Sequence, residues 1–156
     1  GSINGGRFVY DGDGDAFGLT GPTGSDVIEG VFEDYFASQG QASAPSEFSG
    51  RSDYQAFINN GIPAGGLFTG AEGVKTEEEA ALFGGTAGVS YDPCYHSECD
   101  DLSNIDRKLF HEMSDAVAHS VLTFAQTDAD IRGGAGLFSA RALPAAPEYR
   151  GHEALR

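Results

Sequence analysis

The stretch IPAGGLF at residues 62–68 is the part of the sequence that best indicates the fold class. Two glycines interrupt its apolar residues, a pattern typical of a buried strand that other parts of the backbone approach closely. The residues before it predict a short helix that ends near Gly61. A helix followed by a buried strand indicates an α/β layer, so we expect an α/β fold.

The sequence before this stretch predicts a strand and a helix. Residues 6–10 are strand formers that run into an Asp/Gly cluster, which is typical of a strand followed by a loop. Residues 25–38 place apolar side chains three and four positions apart, as one wide face of a helix does. We expect Ser25 to cap this helix and Gly40 to end it, and residues 39–50 to form a loop.

The sequence after this stretch predicts two more helices. Thr76 and Glu79 have the spacing of a capping box, so we expect a short helix to begin there. An apolar stripe at helical spacing follows, and we expect this long helix to begin near Ser103 or Asn104. Beyond about residue 126 the composition has no clear period, which predicts a flexible tail or linker over 127–156.

The charge of the chain limits its partners. The 156 residues include 24 acidic and 9 basic residues, for a net charge of -15. Such a charge repels phosphate backbones and anionic membrane surfaces, so we expect neither nucleic acid nor membrane as a partner. With 40% hydrophobic residues, the chain has the apolar content of one globular domain.

Cys94 and Cys99 are the two cysteines of the chain, and they bracket His96. A zinc knuckle would need two further Cys or His ligands at matching spacing, and none lies nearby. A disulfide-closed loop needs nothing else, so we favour the disulfide, which indicates an oxidising compartment. Such a loop would restrict His96 and Tyr95 together, as a metal ligand beside an oxyanion donor requires. An isolated histidine of this kind is more often a surface residue.

Acidic residues offer two further candidates. Asp100 and Asp101 could orient a ligand at His96. Asp11, Asp13 and Asp15 alternate along a loop, but the EF-hand pattern fails six and twelve positions into it, so we favour a solvated turn over a calcium site.

Several motifs together resemble one family. They are GRSD at 50–53, GGLFTG at 65–70, GGTAG at 84–88, DPCYHSECD at 92–100 and LSNI at 102–105. In order and spacing, over about residues 1–125, they are similar to the C-terminal half of the secreted bacterial aminopeptidases that use two co-catalytic zinc ions. The resemblance implies a three-layer α/β/α sandwich around a mixed sheet, of the zinc-exopeptidase type.

The resemblance also implies site residues. His96 matches the family's final zinc ligand, and Tyr95 matches the tyrosine that stabilises the oxyanion. Cys94 and Cys99 match the family's disulfide. Two positions match the substrate pocket, Gly50 and Arg51, and a third, Phe68, matches a wall of the apolar pocket for the N-terminal side chain.

The activity implied is hydrolysis of the peptide bond after a free, apolar N-terminal residue of a peptide substrate. The remaining zinc ligands and the general base would lie before Gly1. We therefore expect residues 1–126 to be the C-terminal half of a secreted domain. Its partner would be the missing N-terminal half, and the isolated chain would have little activity.

Two other functions compete with this one. A non-catalytic relative could use the same fold for binding, and a secreted calcium-binding domain could use Asp11, Asp13 and Asp15. The chain also departs from the family, because Tyr54 stands where a histidine is common, and His111 and Asp115 stand where some relatives bind calcium through two acids. These two and His119 share a helix face, for which we favour a solvated polar surface over a metal site.

Overall fold

A computed structural model describes residues 2–133, and it contains a three-stranded mixed sheet. The central strand β1 (Phe8–Tyr10) pairs in parallel with β2 (Ala44–Ser46) and antiparallel with β3 (Leu67–Phe68). The α/β class predicted from the sequence is therefore confirmed, with strands of both directions in one sheet.

Helices make up much of the rest. In chain order they are α1 (Ser25–Ser38), α2 (Tyr54–Asn59), α3 (Glu77–Phe83) and α4 (Arg107–Gln126), with single 3-10 turns at Leu102–Asn104 and Ile131–Gly133. Within the described range, no helix has the length and apolar character needed to cross a bilayer.

The bounds of α1 are confirmed, but its predicted cap is wrong. Gly24, at φ 103°, is the N-cap and makes no side-chain hydrogen bond there. Ser25 lies one residue inside the helix and is fully buried, where its hydroxyl accepts the backbone N–H of Ala64 at 3.1 Å. The helix ends as expected, with Gly40 just beyond it at φ 65°.

The capping box of α3 is confirmed. The Glu79 N–H donates to the Thr76 hydroxyl at 3.1 Å, and the Thr76 N–H donates to the Glu79 carboxylate at 2.8 Å. The predicted start of the last helix is wrong, because α4 begins at Arg107. Asp106 is its N-cap, and its carboxylate accepts the N–H groups of the second and third helical residues.

Two strands differ from prediction. The loop expected over 39–50 contains β2, which pairs with β1 although its residues are Ala, Pro and Ser. The strand expected over 62–68 is reduced to Leu67–Phe68. Residues 64–65 instead lie against α1, where a Cβ added to Gly65 would meet Ile28 at 2.5 Å. Close packing against a helix takes these residues out of the sheet.

Successive side chains of β1 enter different clusters, as the alternation of a strand requires. Val9 is fully buried in a cluster formed with α1 and α4, whose buried members are Phe32, Tyr35, Phe36, Leu109, Met113 and Ala116. Tyr10 belongs to a second cluster with Tyr54 of α2 and Ala64.

A buried lysine ties the start of the chain to the loop after α3. Lys75 is 1% exposed, and its ammonium donates to the carbonyls of Gly5 at 3.0 Å and Gly84 at 2.8 Å. Burial lowers the pKa of this ammonium. Asn4 supports the same contact, since its amide N–H groups reach the carbonyl of Thr86 at 3.0 Å and that of Ser90 at 3.1 Å.

Seven residues of the predicted 127–156 tail, residues 127–133, are described. Ile131 lies beside Gly24 at the start of α1, where a Cβ on that glycine would meet the Ile131 carbonyl at 3.1 Å. Residues 134–156 lie outside the described residues.

Candidate functional site

A disulfide closes the loop that carries the first candidate residues. The Cys94 and Cys99 sulfurs are bonded at 2.02 Å, which confirms the disulfide. His96 lies inside this loop at φ 52°, a left-handed conformation that is uncommon for a residue with a side chain. The loop therefore holds His96 in a backbone conformation that a free chain seldom adopts.

Asn104, in the 3-10 turn Leu102–Asn104, joins that turn to the disulfide loop. It is buried, and its amide donates to Asp92 Oδ1 at 2.7 Å and to Asp100 Oδ1 at 3.0 Å. Asp101 accepts the N–H and the hydroxyl of Ser103 at 2.7 and 2.6 Å. The side chains of Asp100 and Asp101, considered above as partners of His96, thus accept hydrogen bonds from the 3-10 turn.

Tyr95 and Phe68 line the same cavity. Its volume is about 290 Å³, and the other lining residues are Ser2, Thr69, Ala71, Asp92, Asp100, Asn104 and Ile105. The Tyr95 ring stacks against the His96 imidazole, with 4.0 Å between the ring centroids. The structure thus brings together the predicted oxyanion donor and the predicted apolar wall, with the predicted zinc ligand beside them.

Of the predicted substrate-pocket residues, Arg51 is close enough to Tyr95 for the two side chains to interact electrostatically. The Arg51 guanidinium forms an ion pair with Glu72 at 2.6 Å. The hydrogen bond to Glu72 raises the pKa of Arg51, and Arg51 in turn holds the pKa of Glu72 below its ordinary value. The Gly50 N–H donates to the Tyr54 hydroxyl at 2.8 Å, so the tyrosine that stands where the family has histidine supports this turn.

Glu72 was not predicted from the sequence. It follows strand β3 in the turn 70–73, where the Gly73 N–H donates to the Gly70 carbonyl at 3.1 Å. The Asp92 N–H donates to the carbonyl of the preceding Ala71 at 2.8 Å, which joins this turn to the disulfide loop. The signal available in the sequence was an acid placed between glycines just after a predicted strand.

The disulfide loop offers one of the ligands that a zinc site needs. His96 is exposed, and imidazole is a common zinc ligand, but a catalytic zinc ion takes three protein ligands. In residues 2–133, one group of three His, Cys, Asp or Glu side chains brings its ligand atoms close together. It consists of Asp11, Asp13 and Asp15, in the loop after β1. His96 can therefore serve as one ligand of a site whose other ligands come from elsewhere.

The acidic loop after β1 does bring its three carboxylates together, with ligand atoms within 4.8 Å of one another. Asp11 is buried, and its two oxygens accept the N–H groups of Gly14 and Phe17, both at 2.8 Å. Asp13 accepts the N–H of Asp15 at 2.9 Å. The carboxylates thus order a turn, and their oxygens are of the type that hard cations such as Ca²⁺ prefer.

The histidines of α4 do not share one site. His111 lies 3.5 Å from Asp115. His119 instead packs against the Tyr35 ring, with 4.9 Å between centroids, and burial lowers the pKa of its imidazole. These contacts agree with a polar helix face and do not converge on a metal position.

The chain belongs to peptidase family M28, whose pattern matches residues 3–121. That match includes the disulfide loop, the turn that carries Glu72, and the predicted pocket residues Gly50, Arg51 and Phe68. The family agrees with the resemblance seen in the motifs and with the mixed α/β fold.

Relatives of this chain have aminopeptidase names. The chain is 59% identical over 119 residues to the "Probable leucine aminopeptidase 2" of Aspergillus fumigatus, a match that covers 76% of this chain and 24% of that protein. It is 58% identical over 118 residues to an aminopeptidase of Pseudomonas aeruginosa, covering 76% and 22%. It is 50% identical over 127 residues to leucine aminopeptidase 2 of Trichophyton equinum, covering 81% and 26%. The chain thus spans about a quarter of the length of the curated relatives it matches.

Proposed function

We propose that this chain forms part of a zinc-dependent aminopeptidase that removes apolar residues from the N-terminus of peptides. The observation that carries the proposal is the arrangement around Tyr95. Its ring stacks against the His96 imidazole, and it lines the same cavity as Phe68. The aminopeptidase names of the relatives support the same activity.

Each residue has a role in this proposal. His96 would bind zinc, and zinc, when bound, polarises the scissile carbonyl and lowers the pKa of water. Tyr95 donates its hydroxyl proton in a hydrogen bond to the oxyanion that forms at that carbonyl. Phe68 packs against the apolar N-terminal side chain. Gly50 and Arg51 would contribute to the substrate pocket.

The other zinc ligands come, in this proposal, from an N-terminal portion that completes the domain. One imidazole cannot hold two zinc ions, and residues 1–126 would supply the C-terminal half of a three-layer sandwich. The face of α4 with Phe110, Val117 and Val121 supports this, because these apolar side chains are exposed. Residues 127–156 would then be a tail or linker.

The disulfide supports an oxidising compartment and therefore secretion. The acidic loop supports a calcium-binding domain less well, since two of its three aspartates, Asp11 and Asp13, already accept backbone N–H groups.

The test compares the 156-residue chain alone with a chimera. In the chimera, the chain follows the N-terminal part of the Pseudomonas aeruginosa aminopeptidase that precedes the matched segment. With leucine p-nitroanilide as substrate, we expect no hydrolysis by the chain alone and zinc-dependent, chelator-sensitive hydrolysis by the chimera.

Two variants of the chimera separate zinc binding from catalysis. His96→Ala should remove zinc, measured as bound metal by elemental analysis. Tyr95→Phe should keep zinc and lower turnover by about 10- to 1000-fold, the scale for losing one oxyanion donor. A chimera that binds zinc without hydrolysing any aminoacyl anilide would favour the binding-module alternative. Chelator-sensitive hydrolysis by the chain alone, rescued by zinc, would show that the chain builds its own metal site.

A further inference from the structure

Asn104 holds both ends of the disulfide loop. It is 6% exposed, and its amide donates to Asp92 Oδ1 at 2.7 Å and to Asp100 Oδ1 at 3.0 Å. Asp92 lies just before Cys94, whose N–H donates to the same Asp92 oxygen at 3.0 Å, and Asp100 directly follows Cys99. An asparagine amide has two N–H groups, so these two bonds use its full donor capacity.

The disulfide fixes the shape of the loop but not its position in the molecule. Inside the loop, the Ser97 N–H donates to the Cys94 carbonyl at 2.9 Å, and the Asp100 N–H donates to the Ser97 carbonyl at 3.1 Å. Residues 96–100 are all exposed, so side-chain packing holds them weakly. The orientation of such a loop depends on polar bonds to buried groups, and Asn104 is a buried group that makes two of them.

The residue after Asn104 is joined to the start of the described chain. Ile105 forms an isolated antiparallel bridge with Ser2. Ser2 is buried, and its hydroxyl lies 3.0 Å from the hydroxyl of Thr69. Ser2, Asn104 and Ile105 line the same cavity as Tyr95. The 3-10 turn and the residue that follows it therefore connect the disulfide loop to Ser2.

This connection matters because the zinc ligands of the proposed function come from both of its ends. His96, in the disulfide loop, would supply one ligand. The N-terminal portion, which precedes Ser2, would supply the others. Zinc ligands lie about 2 Å from the ion in a defined geometry, so a small displacement of the loop relative to Ser2 would weaken zinc binding.

We propose that Asn104 is a positioning residue for the zinc site: it fixes the disulfide loop, and with it His96, relative to the N-terminal portion. It acts through its hydrogen bonds to Asp92 and Asp100 and touches neither zinc nor substrate. This role rests on the proposed function. It differs from a contribution to stability alone, because equal destabilisation elsewhere in the chain should not change zinc affinity.

The first test measures the zinc affinity of the chimera by competition with a chromophoric chelator. Asn104→Ala should weaken zinc binding about 10-fold, the lower end of the range for losing a residue that orients a metal ligand. Ser25→Ala is the control for stability, since it removes the buried hydroxyl on α1 that accepts the Ala64 N–H. It should leave zinc affinity unchanged. Unchanged affinity in Asn104→Ala, or an equal loss in Ser25→Ala, would overturn the positioning role.

A second pair of variants changes the acceptor and leaves the buried Asn104 in place. Asp100→Asn and Asp100→Ala remove the same charge from an exposed side chain. Asp100→Asn keeps an oxygen that can accept the Asn104 amide, whereas Asp100→Ala does not. We therefore expect weaker zinc binding by Asp100→Ala than by Asp100→Asn. Equal affinities of these two variants would contradict a role for the hydrogen bond.

A third readout needs neither zinc nor activity. In the 156-residue chain labelled with ¹⁵N-histidine, the His96 ring signals are identified by their loss in His96→Ala. Asn104→Ala should shift or broaden these signals, and Ser25→Ala should not. Identical His96 signals in Asn104→Ala and the parent chain would overturn the role. A parent chimera that binds no zinc would contradict the proposed function instead, and the His96 signals would still decide whether Asn104 fixes the loop.

Discussion

At the residue scale, Glu29 is a carboxylate whose surroundings oppose its charge. It is 6% exposed on α1, where its carboxylate accepts the N–H groups of Gly12 at 2.9 Å and Asp13 at 3.1 Å. Its pKa is raised from 4.5 to about 7, chiefly by burial and in part by the nearby charges of Asp13 and Glu33, against the lowering effect of the two hydrogen bonds. The folded state therefore binds the Glu29 proton more tightly than the unfolded chain.

This shift predicts a specific pH dependence of stability. The contribution of neutral Glu29 is fully present below its unfolded pKa of 4.5 and is lost as the pH rises toward about 7. Glu29→Gln keeps an acceptor oxygen and cannot ionise, so the variant should not lose stability over this pH range. At slightly alkaline pH we expect it to raise the free energy of unfolding by about 1 kcal/mol, measured by urea denaturation.

The control for this prediction is Glu47→Gln, which removes an equal charge from an exposed side chain. It should shift the whole stability profile without changing its slope between pH 4.5 and 7. Parallel profiles for Glu29→Gln and the parent chain over that interval would contradict the raised pKa of Glu29.

The candidate site residues differ in how far the sequence could identify them. Tyr95 and His96 could be found because the two cysteines around them are close in sequence and mark a restrained loop. Glu72 could not, because its partner Arg51 lies 21 positions away and only the folded chain brings the two together. Contacts of this kind carry no local spacing for a sequence pattern to reveal.

At the element scale, the helices were predicted better than the strands. The stripe of apolar residues in α1 and the capping box of α3 are local patterns that fix a helix directly. Strand β2 has no such pattern, because Ala44–Ser46 lacks β-branched and aromatic residues and its place in the sheet comes from backbone pairing with β1. Strand β3 was placed correctly but is shorter, since packing against α1 removes its first residues.

The disulfide loop and the 3-10 turn beside it form one element whose order depends on Asn104. Asn104→Ala removes the hydrogen bonds to Asp92 and Asp100 and leaves both carboxylates without that donor. We expect a loss of about 1–3 kcal/mol in the free energy of unfolding. Because the loop is then less ordered, dithiothreitol should also reduce the Cys94–Cys99 disulfide faster, measured by intact mass after thiol alkylation.

Asn59→Ala is the matched control, since this asparagine lies at the exposed end of α2. It should leave the rate of disulfide reduction unchanged. Equal reduction rates for Asn104→Ala and the parent chain would show that the disulfide alone orders the loop.

At the scale of the whole molecule, two apolar grooves along α4 are exposed to solvent. A groove of about 550 Å³ lies between α1, α4 and residues 127–131, and a second of about 480 Å³ lies between α4 and strand β3. Val117 lines both grooves. Strand β3 pairs on one side with β1 and is an edge of the described sheet. Apolar grooves beside a sheet edge favour self-association in a chain that nothing else covers.

Val121→Glu tests this property, because Val121 is 64% exposed in the first groove. We expect the parent chain to self-associate and the variant to sediment as a smaller species with unchanged circular dichroism. In the chimera the same substitution should lower stability, because the charge would be buried at the contact with the N-terminal portion. Ala118→Glu, on an exposed position of the same helix outside both grooves, is the control. A parent chain that is monomeric at high concentration would contradict the prediction.

The buried position of Lys75 gives the two lysines of the chain unequal chemical reactivity. Lys108 has a side chain that is 86% exposed, so an acylating reagent can reach its amine in the folded protein. The Lys75 amine is enclosed by the carbonyls of Gly5 and Gly84, and acylation would abolish the charge that holds them together. Acylation of Lys75 therefore requires local unfolding around this residue. The ratio of acylation at Lys75 to acylation at Lys108 then measures how often that unfolding occurs.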